Sequence, residues 1–313
     1  MRTAVKQHPP RYAVPLRKIR ELGKACLVTL RPYCYVAPSL LVFALFFLYP
    51  IGYLVYLSFT SWNLLNPAKE WVGFANYREL LQDAEFAQVL ANTLFYTVMS
   101  VSLSMLLGLL IALWVNRRGW LHSFVQGAVF SPYIISLVSV SLLWMWMMDP
   151  QYGLLNALLQ MVGLPPSPWL AHTDSAIWGL ILVSVWKVVG YNTLICVAGL
   201  QSIPKELYEA AALDKTPAWR RFASITLPLL SPTLFFLLVV NMIASFQVFD
   251  TVKIMTQGGP VNSTNMLVYF IYEYGFDFFK IGYAAAAGVV LLIFVGLLTA
   301  VQFLLLAKRV HYR

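Results

Sequence analysis

Lys187 is the first residue whose position demands an explanation. It is the single charged residue between Ser175 and Pro204, inside an otherwise apolar run. A charge within a bilayer-crossing helix costs roughly 2.5–3.5 kcal/mol even on the mild insertion scale. It must therefore face a partner, water or a bundle interior. Tyr191 lies one helical turn on with Asn192 beside it, so these side chains share or adjoin one face. A second polar group gathers at Asn241, Ser245 and Gln247, next to Phe246, Phe249 and Asp250. Polar side chains flanked by aromatic faces suit a path for hydroxyl-rich solutes such as sugars. The same residues would serve interhelical hydrogen bonding equally well, and a Lys187–Asp250 pair would be purely structural. None of this is a catalytic set. The chain has no GxxxxGK[ST] phosphate loop and no Ser/His/Asp or Cys/His arrangement. His8, His122, His172 and His311 are scattered without metal-ligand spacing, and Cys26, Cys34 and Cys196 form no CxxC. Asn262-Ser263-Thr264 fits a glycosylation acceptor, a pattern common by chance. The expectation is binding and passage without a metal or a cofactor in this chain.

The elements that position these residues follow from where charge is missing. Only 11% of residues are charged, against about 25% in a soluble domain. Asp, Glu, Lys and Arg are absent from 32–68, 86–116, 119–148, 222–249 and 281–307, and 175–204 is broken only by Lys187. A spanning helix needs about 20 mostly apolar residues, so each run holds one span. Helices are expected near 33–59, 90–115, 124–148, 176–200, 228–249 and 283–306. Pro38 and Pro50 should bend or shorten the first, and Pro132 interrupts the third early. The fold class is an all-α, six-span membrane protein.

Basic residues orient it. The segment 1–31 carries eight Lys and Arg, Arg117 and Arg118 follow span two, Lys205, Lys215, Arg220 and Arg221 follow span four, and Lys308, Arg309 and Arg313 end the chain. The alternate gaps hold Lys69 and Arg78, then none, then Lys253 and Lys280. Both termini are thus expected in the cytoplasm. The +9 net charge lies along one membrane face and does not imply nucleic acid. The apolar stretch after the basic arm is too long for a signal-peptide core, so the first helix is read as retained. The expected organisation is a basic arm 1–31, a six-span membrane domain 32–307, and a tail 308–313.

One gap is too well formed for a connector. In 201–227, Ile203, Leu207, Ala210 and Ala211 fall on one helical face, with Glu206 and Glu209 mostly off it. Thr216-Pro217 resembles an N-cap followed by proline at the first helical position. The gap therefore reads as two short helices around a turn at Asp214-Lys215. The first has little side-chain bulk and would fit a partner's groove, or lie at the interface as an amphipathic loop without a partner.

Here the chain resembles a known family. Glu209-Ala210-Ala211, Asp214, then Ile225-Thr226-Leu227-Pro228 resemble the conserved loop of permease subunits in binding-protein-dependent ABC importers. The stretches Trp71-Val72-Gly73-Phe74-Ala75-Asn76-Tyr77, Asp149-Pro150 with Gly153-Leu154-Leu155-Asn156, and Gly258-Gly259-Pro260 with Thr264 and Tyr272-Glu273 resemble its carbohydrate branch, which includes maltose-type and glycerol-phosphate-type permeases. The resemblance implies an inner-membrane subunit forming half of a solute path. Glu209, Ala210, Ala211, Asp214, Lys215, Leu227 and Pro228 would then couple to a separate ATPase that holds ATP and Mg. It also implies a second permease subunit, two ATPase subunits and an extracytoplasmic binding protein, which Gly258, Gly259 and Pro260 would contact unless they form a plain turn. The family usually has glycine after the motif's Asp; here it is Lys215. A sugar is the expected solute, with a polyol phosphate as alternative. An ion-driven carrier or membrane enzyme is more remote, since no internal repeat, intramembrane acid or catalytic set is evident.

Overall fold

A computed structural model describes residues 33, 35–65, 67–117 and 119–306. The basic arm, the tail, Cys26, Cys34, His8, His311 and Arg118 lie outside the described residues. The chain divides into two units, Met1–Leu54 and Val55–Arg313. Helix α1, Tyr35–Ser58, has 24 residues, enough to cross about 30 Å of hydrocarbon at 1.5 Å per residue. Its apolar side chains in the first unit are exposed, as on a helix bathed in lipid. Pro50 does not interrupt it. A π-turn over Ala44–Leu48 lies just ahead, with the Tyr49 N–H bonded to the Ala44 carbonyl. The wider turn accommodates the N–H that Pro50 lacks.

In the second unit a two-residue hairpin pairs β1, Thr60–Ser61, with β2, Glu70–Trp71, antiparallel. Helix α2, Ala75–Gln82, follows. The Trp71–Tyr77 stretch builds this corner. Gly73 takes φ 58°, Phe74 and Tyr77 pack on Phe59, and the Asn76 amide donates to the Ser58 and Thr60 carbonyls at 2.8 and 3.0 Å. A Cβ on Gly282 would overlap the Thr60 carbonyl, so only glycine admits the start of the last helix here.

The remaining helices are α3 (Ala84–Val115), α4 (Trp120–Ile134), α5 (Leu137–Met147), α6 (Leu154–Met161), α7 (Thr173–Gln201), α8 (Lys205–Leu213), α9 (Ala218–Phe246), α10 (Asp250–Met255), α11 (Leu267–Tyr272) and α12 (Ile281–Leu306). Five helices, α1, α3, α7, α9 and α12, are long and apolar enough to cross a membrane. The third expected span is different. Its two halves, α4 and α5, meet at 100° across a two-residue break.

Two serine–proline pairs show how prolines are tolerated without water. Pro132 in α4 leaves the Ala128 carbonyl without its usual donor, and Ser131 Oγ donates to that oxygen at 2.9 Å. Pro232 in α9 does the same to the Pro228 carbonyl, which accepts from Ser231 Oγ at 2.7 Å. In hydrocarbon such side-chain donors are what makes an internal proline affordable.

Helix α7 is the hub. Glycines let it approach its neighbours as small residues do at membrane helix crossings. A Cβ on Gly190 would overlap the Val129 carbonyl of α4, and one on Gly108 of α3 would lie 2.7 Å from Asn192 Cβ. The second half of the coupling gap also departs from expectation. Its N-cap is Pro217, not Thr216, and it is no separate helix. It runs through a π-turn, Phe222–Thr226, directly into the fifth span, because the widened turn precedes Pro228 as the first one precedes Pro50.

Candidate functional site

A cavity of about 480 Å³ opens among α3, α4, α5, α7, α9 and α10. Five sequence-predicted residues line it: Lys187, Asn241, Ser245, Gln247 and Asp250. Gln247 and Asp250 are exposed and make no side-chain hydrogen bond or ion pair among the described residues. Asn241 and Ser245 are engaged. Asn241 donates to Asn192 Oδ1 at 2.8 Å. Ser245 lies 3.2 Å from Thr97 Oγ1 and 3.0 Å from Ser100 Oγ, so it ties α9 to α3. Lys187 forms no ion pair with Asp250. Its Nζ donates to the carbonyls of Ile135 at 2.6 Å and of Pro132 and Tyr133 at 3.3 Å each.

Three predicted path residues sit elsewhere. Asn192 is fully buried between α3 and α7. Tyr191 stacks on Tyr133 with centroids 4.8 Å apart. Phe246 is buried against Phe294. None of them lines the cavity. The cavity wall also contains Tyr96, Ser100 and Ser104, which the first reading missed. Their spacing of four residues along α3 places them on one helical face, a signal present in the sequence.

The exposed loop lies around α8. Tyr208 OH and Thr226 Oγ1 are 2.9 Å apart, joining α8 to the start of the fifth span. Ala211 is buried on that inner side, and Ile203 and Tyr208 pack in an apolar cluster with residues of α3, α7 and α9. The outer side presents Leu207, Glu209 and Ala210. Leu213 at the tip is 85% exposed, a missed residue on the face a partner would meet. Leu227 is exposed and Pro228 half-buried. The turn has the Schellman form: Lys215 N–H bonds the Ala212 carbonyl and Thr216 N–H the Ala211 carbonyl, both at 3.0 Å.

On the Gly258 turn, Gly258 has φ 78° and a Cβ there would crowd Tyr269 and Asn265. Gly258 is buried and Gly259 and Pro260 half-buried, whereas Gln257 and Val261 stand exposed. Thr264, fully buried, donates to the Gly259 carbonyl at 2.6 Å. Burial holds the Glu273 carboxyl above its usual range, partly offset by the hydrogen bond from Asn265 at 3.2 Å. Asn156 fixes another loop in the same way, bonding the Pro150 and Ser167 carbonyls and accepting from the Trp169 indole. The motifs that carried the resemblance are thus pins that hold loops in place.

A family model described as the binding-protein-dependent transport system inner membrane component matches residues 104–312. The chain belongs to this family. The permease is 37% identical over 282 residues to the sn-glycerol-3-phosphate transport system permease protein of Agrobacterium fabrum, covering 90% of this chain and 96% of that protein. It is 36% identical over 287 residues to the corresponding permease of Yersinia pestis, with 90% and 96% coverage. In fold it is similar to a chain in the crystal structure of a bacterial ABC transporter involved in import of the acidic polysaccharide alginate, with TM-score 0.74, 25% identity, and coverage of 92% of this chain and 99% of that one. It is an ABC importer permease subunit, multi-pass in the inner membrane.

Lys215 adopts φ 50°, a left-handed conformation that costs a side-chain-bearing residue about 1 kcal/mol relative to glycine. The substitution Lys215→Gly is expected to stabilise the turn by that amount. Amide exchange at Lys215 and Thr216 should slow about fivefold, the equivalent of ~1 kcal/mol. Unchanged or faster exchange would mean that the lysine side chain offsets its own strain.

Proposed function

We propose that the cavity is this subunit's share of a transmembrane path for a hydroxyl-rich solute, a sugar or oligosaccharide. The carrying observation is the pair Gln247 and Asp250, exposed in the cavity with no side-chain partner among the described residues. A neutral solute offers hydroxyls to both, and Phe249 and Tyr133 supply aromatic surface beside them. In this reading the loop around α8 faces the cytoplasm, as the basic residues imply, and its outer side docks on a separate ATPase subunit holding ATP and Mg. A second permease subunit completes the path. A binding protein delivers solute on the opposite face, meeting the Gly258–Pro260 turn through its exposed neighbours Gln257 and Val261.

A second reading, a polyol phosphate, is favoured by the positive charge of Lys187 on the cavity wall and by relatives named for sn-glycerol-3-phosphate transport. Competitive uptake separates the two, with neutral sugars and glycerol phosphate each tested as competitor. Gln247→Ala is expected to raise the half-saturating solute concentration about tenfold, the equivalent of one lost hydrogen bond of ~1–1.5 kcal/mol. Protein level and basal ATP hydrolysis should hold, because Gln247 supports no other side chain. Normal uptake in both Gln247→Ala and Asp250→Asn would remove the cavity from the path.

A further inference from the structure

The broken third span raises the question of what holds its 100° turn. A helix end leaves four carbonyls without intrahelical donors, and in hydrocarbon each must find one. Pro132 lies inside α4, and the donor it removes from the Ala128 carbonyl is replaced by Ser131, so the break needs donors of its own. At the end of α4, the Pro132 carbonyl receives only a 3.3 Å bond from the Ile135 N–H. Lys187 reaches across from α7, more than fifty residues away in sequence, and donates to Pro132, Tyr133 and Ile135 together. An ammonium has three protons and no acceptor, so three carbonyls use its full capacity. The C-terminal end of a helix also carries partial negative charge, which a cation there compensates. Two neighbours on the same face of α7 fix the approach: Gly190 seats against the Val129 carbonyl, and Tyr191 stacks on Tyr133.

We propose that Lys187 is the latch of the broken span: a positioning residue that caps α4, holds the turn into α5 and so shapes one wall of the cavity. This rests on the cavity being the solute path. Asp250, the carboxylate on the cavity wall, is not paired with Lys187, which leaves it to meet solute while the lysine is occupied by backbone. The charge that looked like a solute ligand is thereby assigned to the architecture, and the cost of placing it in the membrane is offset by the helix end that it caps.

The test uses the full importer in proteoliposomes with Lys187→Met, Lys187→Gln and Lys187→Arg. Hydrogen exchange across residues 134–138 and solute-dependent uptake are both measured. With the latch lost in Lys187→Met, exchange at the break should rise about tenfold, the equivalent of one charge-assisted hydrogen bond. Maximal uptake should fall while the half-saturating concentration stays within twofold, and Lys187→Arg should restore both. If Lys187→Met fails to accumulate, Lys187→Gln carries the test, since it keeps a donor but no charge. Unchanged exchange in whichever variant accumulates overturns the latch. A raised half-saturating concentration with unchanged exchange overturns it too, and makes Lys187 a solute ligand. Raised exchange together with normal uptake in Gln247→Ala and Asp250→Asn keeps the latch and removes the path reading instead.

Discussion

Glu209→Lys is expected to abolish solute uptake while the importer assembles and its ATPase still turns over. Glu209 is exposed on the outer side of α8 and makes no hydrogen bond or ion pair among the described residues. Among the described residues, nothing inside the permease therefore depends on it. The inner side of α8 is held separately, through Tyr208, Thr226 and buried Ala211. Reversing the charge at 209 leaves that attachment intact and changes only what a docked partner meets. A buried interfacial charge that loses or repels its partner costs about 2–5 kcal/mol, enough to disconnect the α8 surface from a moving ATPase. Uptake and ATP hydrolysis should be measured on the same reconstituted sample. Uptake at the normal rate would remove the coupling role from this surface. Leu213→Ala offers a milder probe of the same face, since that side chain is exposed at the tip and supports nothing within the subunit.

Gly190→Leu should prevent the permease from reaching its folded state. Even a Cβ at this position overlaps the Val129 carbonyl, and the backbone of Phe130 is close behind. Backbone cannot swing aside as a flexible side chain can, so α4 and α7 would have to separate. Overpacking a well-packed contact typically costs about 1–3 kcal/mol and occasionally more. Here it would also pull the α4 carbonyls away from Lys187. The control is Gly127→Leu on α4, the helix that Gly190 meets, where a Cβ meets nothing within 4 Å. Size-exclusion yield in mild detergent compares the two. A monodisperse, normally abundant Gly190→Leu protein would show that the α4–α7 crossing tolerates separation.

Much of the site was legible before the fold. The polar positions Asn241, Ser245, Gln247 and Asp250 stood out because an apolar run makes each exception costly. The same logic found Lys187 but not its partner. From the sequence, Asp250 was the natural counter-ion, since it is the acidic residue nearest the end of the fifth span. Backbone carbonyls leave no mark in a sequence, so a cation satisfied by a helix end looks identical to one waiting for a ligand. Tyr191 and Asn192 were placed with Lys187 by helical spacing, which identifies a shared face but not what lies against it. Tyr191 turns to α4 and Asn192 to α3 and α9, and of the three only Lys187 lines the cavity. Ile203, Leu207, Ala210 and Ala211 show the same limit: periodicity grouped them, and packing divided them between an inner and an outer side.

Charge distribution alone determined that the chain crosses the membrane several times as helices, because hydrocarbon tolerates neither unpaired charge nor unpaired backbone. Apolar periodicity marked 201–227 as an ordered loop, and the family resemblance marked Lys215 as the residue out of place there. Tertiary structure decided three things. The third span is two helices at 100°, with a lysine from α7 supplying donors to the carbonyls at the break. The second helix expected in 201–227 is the beginning of the fifth span, because a π-turn carries the chain through Pro228. Lys215 takes a left-handed turn in place of glycine, because two backbone hydrogen bonds close the helix end around it. Each depends on groups distant in sequence or on backbone geometry, and neither is written in residue type.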